Sequence, residues 1–157
     1  MFILNTLLVG ASPLPPTSSP PMSFSELIRS EEELLKRLLL VSQRQLEIVD
    51  MGNATVLVQH LEQRERLWQE FEFLEQQLAP HKGIPPARRV WQSAEERQLT
   101  ELSLNRCKTL LEEIMANDQI SLSKAAEQKD KAEKDLRRVQ LATTVAPAYA
   151  KQSQIQR

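Results

Sequence analysis

The chain has 157 residues, a formal net charge of −1 and a charged fraction of 26%. A length of this size leaves room for one domain, and the charge balance excludes a strong electrostatic attraction to nucleic acid or acidic lipid. A single cysteine excludes an intrachain disulfide, and that cysteine and the two histidines show no metal-binding spacing. With only three glycines and abundant leucine, glutamate, glutamine and arginine, the composition indicates an all-α interaction protein without a cofactor.

Residues 1–22 differ from the rest because they are first apolar and then proline-rich, with no charged residue before Glu26. The apolar run is too short to span a bilayer, and it lacks the basic start of a secretory signal. Three interpretations stay open: a mis-assigned start with Met22 as the true initiator, a disordered native tail, or a degenerate signal peptide. In each case residues 1–22 are expected to be a disordered extension.

Two helices of similar length are predicted over residues 24–50 and 54–79. Ser23 and Glu26 form a capping box for the first, Gly52 can end it, Asn53 can cap the second, and Pro80 ends that one. The short connection predicts an antiparallel hairpin about 40 Å long. The predicted inward-facing residues are Leu27, Ile28, Leu34, Leu35, Leu38, Leu39, Leu46 and Val49 in the first helix, and Val56, Leu57, Leu61, Leu67, Trp68, Phe71, Leu74 and Leu78 in the second. The stripe of the first helix is wide enough to contact two neighbours.

Residues 80–92 are a linker, which we expect Ile84, Val90 and Trp91 to hold against the end of the bundle. A third helix is predicted over residues 94–142, opened by a capping box of Ser93 and Glu96. A disordered tail is predicted over residues 143–157. The predicted apolar stripe of the third helix comprises Leu99, Leu102, Leu110, Ile114, Leu122, Ala125, Ala132, Leu136 and Val139.

The third helix is predicted to be longer than the hairpin beside which it lies. It spans about 70 Å, against about 40 Å for the hairpin. Residues 95–117 can pack along the hairpin, whereas residues 118–141 have no intrachain partner unless the helix folds back at Asn117 and Asp118. We therefore expect the distal part to fray or to be completed by another protein.

Catalytic chemistry has little support in the sequence. His60 could serve a phosphotransfer bundle, but charged residues follow it closely, so we interpret it as a solvated histidine on a helix face. Cys107 lies beside the inward stripe and is interpreted as a small buried hydrophobe. The basic residues near the chain end alternate with acidic ones, which is typical of a solvated face. We therefore expect no enzymatic activity.

One segment of this chain, LLKRLLLVSQRQLEIVDMGNATVLVQHLEQRERLW, resembles the N-terminal helical hairpin of the FlgN family of flagellar export chaperones. The family is similar in its leucine-rich first helix, its break at Gly52-Asn53 and the charged run from Arg64 to Arg66. The long third helix, with LLEEIMANDQ in mid-course and Ala148-Tyr149 near its end, is also similar. The resemblance covers residues 24–150, and the proline-rich start and the linker motif GIPPARR depart from it.

The resemblance implies a cytoplasmic chaperone that binds the C-terminal helices of hook–filament junction (hook-associated) proteins. It further implies delivery of this cargo to the flagellar type III export gate, with cargo bound by the C-terminal half of the chaperone and the gate contacted near the chain end. Tyr149 would be the candidate for the gate contact. Nucleic acid and stable membrane insertion are not expected, and the chain would be a monomer or a weak homodimer.

The partner-binding surface is accordingly predicted on the distal part of the third helix. Its residues are Leu122, Ala125, Ala132, Leu136 and Val139 as an apolar stripe, Lys129 and Arg137 at its rim, and Tyr149. Two alternatives stay open: a structural coiled-coil protein whose third helices pair with each other, and a signalling bundle that uses His60.

Overall fold

The structure is a computed structural model that describes residues 20–155. Over that range it consists of α1 (Phe24–Met51), α2 (Ala54–Lys82), a short 3-10 helix (Pro86–Arg88) and α3 (Ala94–Ile155). No strand occurs within these residues, so the predicted all-α fold with a hairpin and a long third helix is confirmed. The predicted extension over residues 1–22 lies almost wholly outside the described residues.

The predicted caps form because each depends on residues a few positions apart. The Ser23 hydroxyl accepts a hydrogen bond from the Glu26 amide at 3.3 Å, and the Glu26 carboxylate accepts one from the Ser23 amide at 2.7 Å. Gly52 has a φ of 68°, where a side chain would be strained, and its amide donates to the Val49 carbonyl at 3.1 Å. These contacts fix the two ends of α1.

Two helix ends differ from the prediction. α2 continues past Pro80 to Lys82, because a proline in the last turn removes only one intrahelical hydrogen bond. α3 continues to Ile155, so residues 143–155, predicted as a disordered tail, are helical. This stretch contains three alanines, two glutamines and a lysine, which favour helix strongly enough to carry it past Pro147.

α1 lies between the other two helices. It is antiparallel to α2, since Phe24 at the start of α1 stacks on His81 near the end of α2 with 5.8 Å between ring centroids. It is parallel to α3, since Ser25 contacts Glu96 at one end and Asp50 contacts Lys124 at the other. Within the described residues no Cα atom of α2 comes within 8 Å of one in α3. The wide stripe of α1 therefore contacts two neighbours, as predicted.

One apolar core joins the three helices, and it lies in the half of the molecule where α1 begins. Its buried members are Leu27, Ile28, Leu34, Leu35, Leu38, Leu67, Leu74, Leu78, Cys107 and Ile114. Trp68 and Phe71 pack against this core, and their two rings meet edge to face with 5.3 Å between the centroids. The core thus ends at about the level of Ile114 on α3.

Several residues of the predicted stripes are exposed instead. On α3, Leu99, Leu102 and Leu122 face solvent, while their neighbours Thr100 and Ser121 are buried. The face of α3 that packs on the hairpin therefore contains Thr100, Cys107, Ile114 and Ser121, at seven-residue intervals. Because most of these side chains are small or polar, the pattern of leucines does not indicate this face. On α2, Val56 and Leu61 are also exposed, and so is Val90 in the linker.

A layer of polar side chains follows the apolar core toward the α1–α2 turn. Asn117 donates to the Ser42 hydroxyl at 3.0 Å, and Arg64 of α2 forms an ion pair with Asp118 of α3. His60 is buried here rather than solvated as predicted, because its Nε2 donates to the Val41 carbonyl at 2.8 Å. This polar layer divides the apolar core from the turn end of the molecule.

No helix among the described residues combines the length and the apolar character needed to cross a membrane.

Candidate partner-binding surface

α3 extends beyond the end of the hairpin. Its last hydrogen bond with α1 in the described residues is made by Gln128, whose side-chain amide donates to the Val49 carbonyl at 2.5 Å. Residues 129–155, which we call the distal arm, continue for about 40 Å at about 1.5 Å per residue. The predicted mismatch in length between α3 and the hairpin is therefore present in the structure.

The segment of α3 just before the arm, residues 117–128, contacts the hairpin mainly through polar side chains. Between Asn117 and Gln128 the buried residue is Ser121, and no large apolar side chain of this segment is buried. The Lys124 ammonium pairs with the Asp50 carboxylate at 2.7 Å, with both side chains partly exposed. Exposed pairs of this kind contribute little, about 0–1 kcal/mol. The packing of α3 on the hairpin is therefore weakest where the arm begins.

The face of α3 that packs on α1 continues along the arm without a partner. Ala125 is half-buried at the end of the hairpin, and Ala132, Leu136 and Val139 follow at intervals of seven, four and three residues. This spacing keeps them on the side of Ile114. Leu136 is 57% exposed and Val139 is 63% exposed. The structure thus brings these four predicted site residues together on one line.

A groove of about 510 Å³ lies where the arm leaves the hairpin, and we call it the tip groove. Its floor is formed by Ile48, Val49 and Leu57 of the hairpin. Ala125, Gln128, Lys129 and Ala132 of α3 form its other wall. The groove is mainly apolar and continuous with the stripe, so a helix lying on the arm could place a side chain in it.

The remaining predicted site residues are placed differently. Leu122 is 67% exposed but lies off the stripe, because the neighbouring Ser121 occupies the inward position. Lys129 lines the tip groove, as a rim residue should. Arg137 is exposed and points about 100° away from Leu136, so it lies farther from the stripe than predicted. The side chain of Tyr149 lies outside the described residues.

Sequence analysis missed the hairpin side of the tip groove. Ile48 and Leu57 line this groove, and Met51, next to the groove-lining Gly52, is exposed. The sequence feature that indicates this surface is the run Ala54-Thr55-Val56-Leu57-Val58 at the start of α2. Its apolar residues point in more directions around the helix than packing against α1 alone requires.

The charges around the stripe are mixed up to Asp135 and wholly basic beyond it. Lys129, Lys131 and Lys134 alternate with acidic residues, and Arg138 reaches Asp135 at 4.0 Å in an exposed pair. After Asp135 the sequence contains no acidic residue. A partner with acidic residues beside its apolar face would therefore suit the outer part of the arm.

The other candidate sites are buried. The Nε2 of His60 donates to the Val41 carbonyl in the polar layer, so this nitrogen is engaged in the fold. Burial, reinforced by the charges of Glu31 and Glu32, raises the pKa of the Cys107 thiol to about 12, so this cysteine is not an activated nucleophile. Residues 20–155 contain no cluster of three histidine, cysteine, aspartate or glutamate side chains able to hold a metal ion.

Comparisons of the chain with models of protein families, with curated proteins and with solved structures gave no match.

Proposed function

We propose that this chain is a non-enzymatic export chaperone of the FlgN type. It binds C-terminal helices of hook–filament junction proteins in the cytoplasm and delivers them to the flagellar type III export apparatus. The observation that carries the proposal is the exposed stripe of Ala132, Leu136 and Val139 on a helix that outruns the hairpin. The sequence resemblance supplies the class of cargo.

The binding mode is helix against helix. An amphipathic cargo helix would lay its apolar face along the arm, with contacts repeating every three or four residues. Burial of Leu136 and Val139 would contribute roughly 1.5–3 kcal/mol each. Since no described side chain of the arm is buried, the cargo would supply most of the apolar surface.

The tip groove would set the position of the cargo helix. Ala125 and Ala132 are small, so a large cargo side chain could reach the floor at Leu57. Lys129 at the edge would pair with an acidic cargo residue. Tyr149, near the chain end, is proposed for the contact with the export gate.

A pair of aspartate substitutions tests the proposal. Leu136→Asp places a charge in the stripe, whereas Leu141→Asp places the same charge about 140° around the helix. Both leucines are exposed, so neither variant should alter the melting temperature of the hairpin. Binding to the C-terminal helices of a hook–filament junction protein, measured by titration calorimetry, should be abolished by Leu136→Asp and retained by Leu141→Asp.

Equal loss in both variants, or binding by neither the wild type nor the variants, would contradict the proposal. A fall in melting temperature with Leu136→Asp would show that the arm belongs to the folded core.

Self-association is the second candidate, and the three-and-four spacing of Ala132, Leu136 and Val139 favours it. In that case the arms of two copies would pair with each other. Sedimentation equilibrium distinguishes the two functions. A dimer that is stable without cargo and is lost with Leu136→Asp would favour self-association, whereas a monomer or weak dimer is expected for the chaperone.

A further inference from the structure

The folded body has an exposed face on α3 that is separate from the distal arm and from the surface used in the proposed chaperone function. Three large apolar side chains lie on this face: Leu99, Leu102 and Ile120 are 53%, 45% and 47% exposed. At about 100° per residue they point roughly 80–140° away from the buried Cys107. Packing of α3 on α1 therefore leaves about half of each side chain exposed.

The residues of this face recur at the spacing of a helix that pairs with another helix. The intervals alternate between three and four residues, which is the step of a two-helix contact. A groove of about 360 Å³ lies beside the middle of the face, lined by Leu102, Thr109 and Leu110 among others. We call the face the outer stripe, and its members, all exposed, are Leu99, Leu102, Arg106, Thr109, Glu113, Ala116 and Ile120.

The two charged members of the outer stripe have opposite signs and lie symmetrically about its centre. Arg106 comes three residues before Thr109, and Glu113 comes three residues after Leu110. When two copies of α3 run antiparallel about this centre, Arg106 of each copy faces Glu113 of the other. A parallel pair would instead place like charges opposite each other, which is unfavourable. The charge pattern therefore favours an antiparallel pair of identical helices.

The charged groups of the outer stripe can form these contacts without leaving a charge unpaired. Within the chain, the Arg106 guanidinium lies 3.5 Å from the Glu32 carboxylate, and its side chain is 63% exposed. A guanidinium has five N–H donors, so it can bind a second carboxylate as well. Lys36, on the α1 side of the groove, is paired with Glu32 at 3.0 Å. An acidic group of a second copy is therefore suited to Arg106.

We propose that the outer stripe is the interface of a two-fold symmetric homodimer in which the α3 helices of two copies pack antiparallel. Two ion pairs between Arg106 and Glu113 lie on either side of the two-fold axis. At each end of the interface, Leu99 of one copy packs on Ile120 of the other. This contact differs from a pairing of the distal arms, because it uses another face and another part of α3.

The dimer leaves both distal arms accessible. In this register, residue 129 of one copy lies at the level of residue 90 of the other, which precedes α3. The two arms therefore project past opposite ends of the dimer. The apolar stripe of each arm lies on the side of Ile114, about 100° around the helix from the outer stripe. Dimerisation and cargo binding consequently use different surfaces.

The dimer should be weak. Each copy contributes three large side chains that are already about half covered, which is less apolar surface than a permanent homodimer buries. We expect a dissociation constant of about 10–100 µM.

Charge reversal, followed by sedimentation equilibrium of the full chain, tests the interface and its register. Arg106→Glu places two pairs of like charges in the dimer, and Glu113→Arg does the same with the opposite sign. The matched control is Lys108→Glu, which reverses a charge about 160° around α3 from Arg106. All three side chains are exposed, so every variant should keep the circular dichroism spectrum of the wild type.

The wild type and Lys108→Glu should dimerise equally, whereas Arg106→Glu and Glu113→Arg should each dimerise at least about tenfold more weakly. An equimolar mixture of these two variants should recover the wild-type affinity, because both ion pairs of the mixed dimer again join opposite charges. Leu136→Asp should dimerise like the wild type, which distinguishes this interface from a pairing of the arms.

A wild type that stays monomeric at millimolar concentration would overturn the proposal, and the outer stripe would then be open to a different helical partner. Equal weakening by Lys108→Glu would also overturn it. So would a mixture of Arg106→Glu and Glu113→Arg that dimerises no better than either variant alone, since the two residues would then not face each other.

Discussion

At the scale of single residues, the buried carboxyl of Glu31 controls how stability depends on pH. Burial, reinforced by a hydrogen bond with Glu75 and by its charge, raises the pKa of Glu31 from 4.5 to about 7, while Lys82 acts in the opposite direction. The Lys82 ammonium lies 2.6 Å from the Glu75 carboxylate. Glu31 therefore holds a proton in the folded state that the unfolded chain has already released.

The direction of the effect follows from linkage. Between pH 4.5 and about 7 the folded state binds more protons than the unfolded state, so stability falls as pH rises through this range. The contribution is complete below pH 4.5, and above about pH 7 the loss levels off at about 3 kcal/mol.

Glu31→Gln should remove this dependence, because the amide stays neutral and can still donate to Glu75. At pH 8 the variant should be more stable than the wild type by roughly 2–3 kcal/mol, and near pH 4.5 the difference should be small. Urea unfolding at both values measures it, with the exposed Glu65→Gln as control. Parallel profiles for wild type and Glu31→Gln would show that Glu31 is ionised in the folded protein.

Sequence reasoning worked best for residues whose partners are close along the chain. The capping serine at position 23, Gly52 and Asn53 behave as predicted, because a cap needs only a few neighbouring residues. It failed for His60, whose environment is set by Val41 on the facing helix. A single sequence shows no sign of that contact.

At the scale of secondary-structure elements, two ion pairs bind the middle of α3 to the hairpin. They differ in burial, so removing one partner should cost more stability in the buried pair than in the exposed pair. The side chains of Arg64 and Asp118 are only 16% and 26% exposed. Those of Lys124 and Asp50 are 38% and 58% exposed. Removing one partner of a buried pair leaves the other charge without compensation, whereas an exposed charge is solvated by water.

Asp118→Ala should therefore destabilise the protein by about 1–3 kcal/mol, and Asp50→Ala by less than about 1 kcal/mol. Urea denaturation followed by circular dichroism measures both. A loss of equal size for the two variants would mean that Arg64 reaches water when its partner is absent.

The position of the stripe on α3 was the main error at this scale. The prediction assigned the leucines at positions 99, 102 and 122 to the buried face, but these are exposed. The packed face instead contains Thr100, Cys107 and Ser121. The seam became leucine-poor because α1 already supplies the bulk of the core, with Leu35 and Leu38 fully buried. A helix that packs against a leucine-rich neighbour can use small residues, and the sequence of that helix alone does not show this.

At the scale of the whole molecule, the folded body and the distal arm should be energetically separate. Every buried side chain among the described residues lies before residue 122. The arm adds helix, and none of its described side chains is buried, so it gains little from cooperative folding of the core.

A chain ending at Gln128 should accordingly melt within about 2 °C of the full chain, while its helical signal per molecule falls because the arm is missing. Thermal unfolding followed by circular dichroism gives both quantities. As a comparison within the body, Ile114→Ala should lower stability by roughly 2–5 kcal/mol. A marked drop in melting temperature on truncation would indicate that the arm packs on the body.

The extension of α3 beyond the hairpin could be predicted from the sequence, because the number of residues in a helix gives its length. The predicted lengths of about 40 Å and 70 Å placed the end of the hairpin near Asn117, whereas α3 still forms hydrogen bonds with α1 at Lys124 and Gln128. The tip groove could not be predicted, since it combines Ile48 and Leu57 with α3 residues far along the chain.

Because Gln128 makes the last hydrogen bond from α3 to α1, it would be the pivot of any tilt of the arm against the body. A tilt of only about 10° at the pivot would displace the far end of a 40 Å rod by about 7 Å. An arm that tilts in this way could bind helices with side chains of different size, while the leucine-packed body stays unchanged. X-ray scattering of the free chain should then show a distribution of overall lengths rather than a single one.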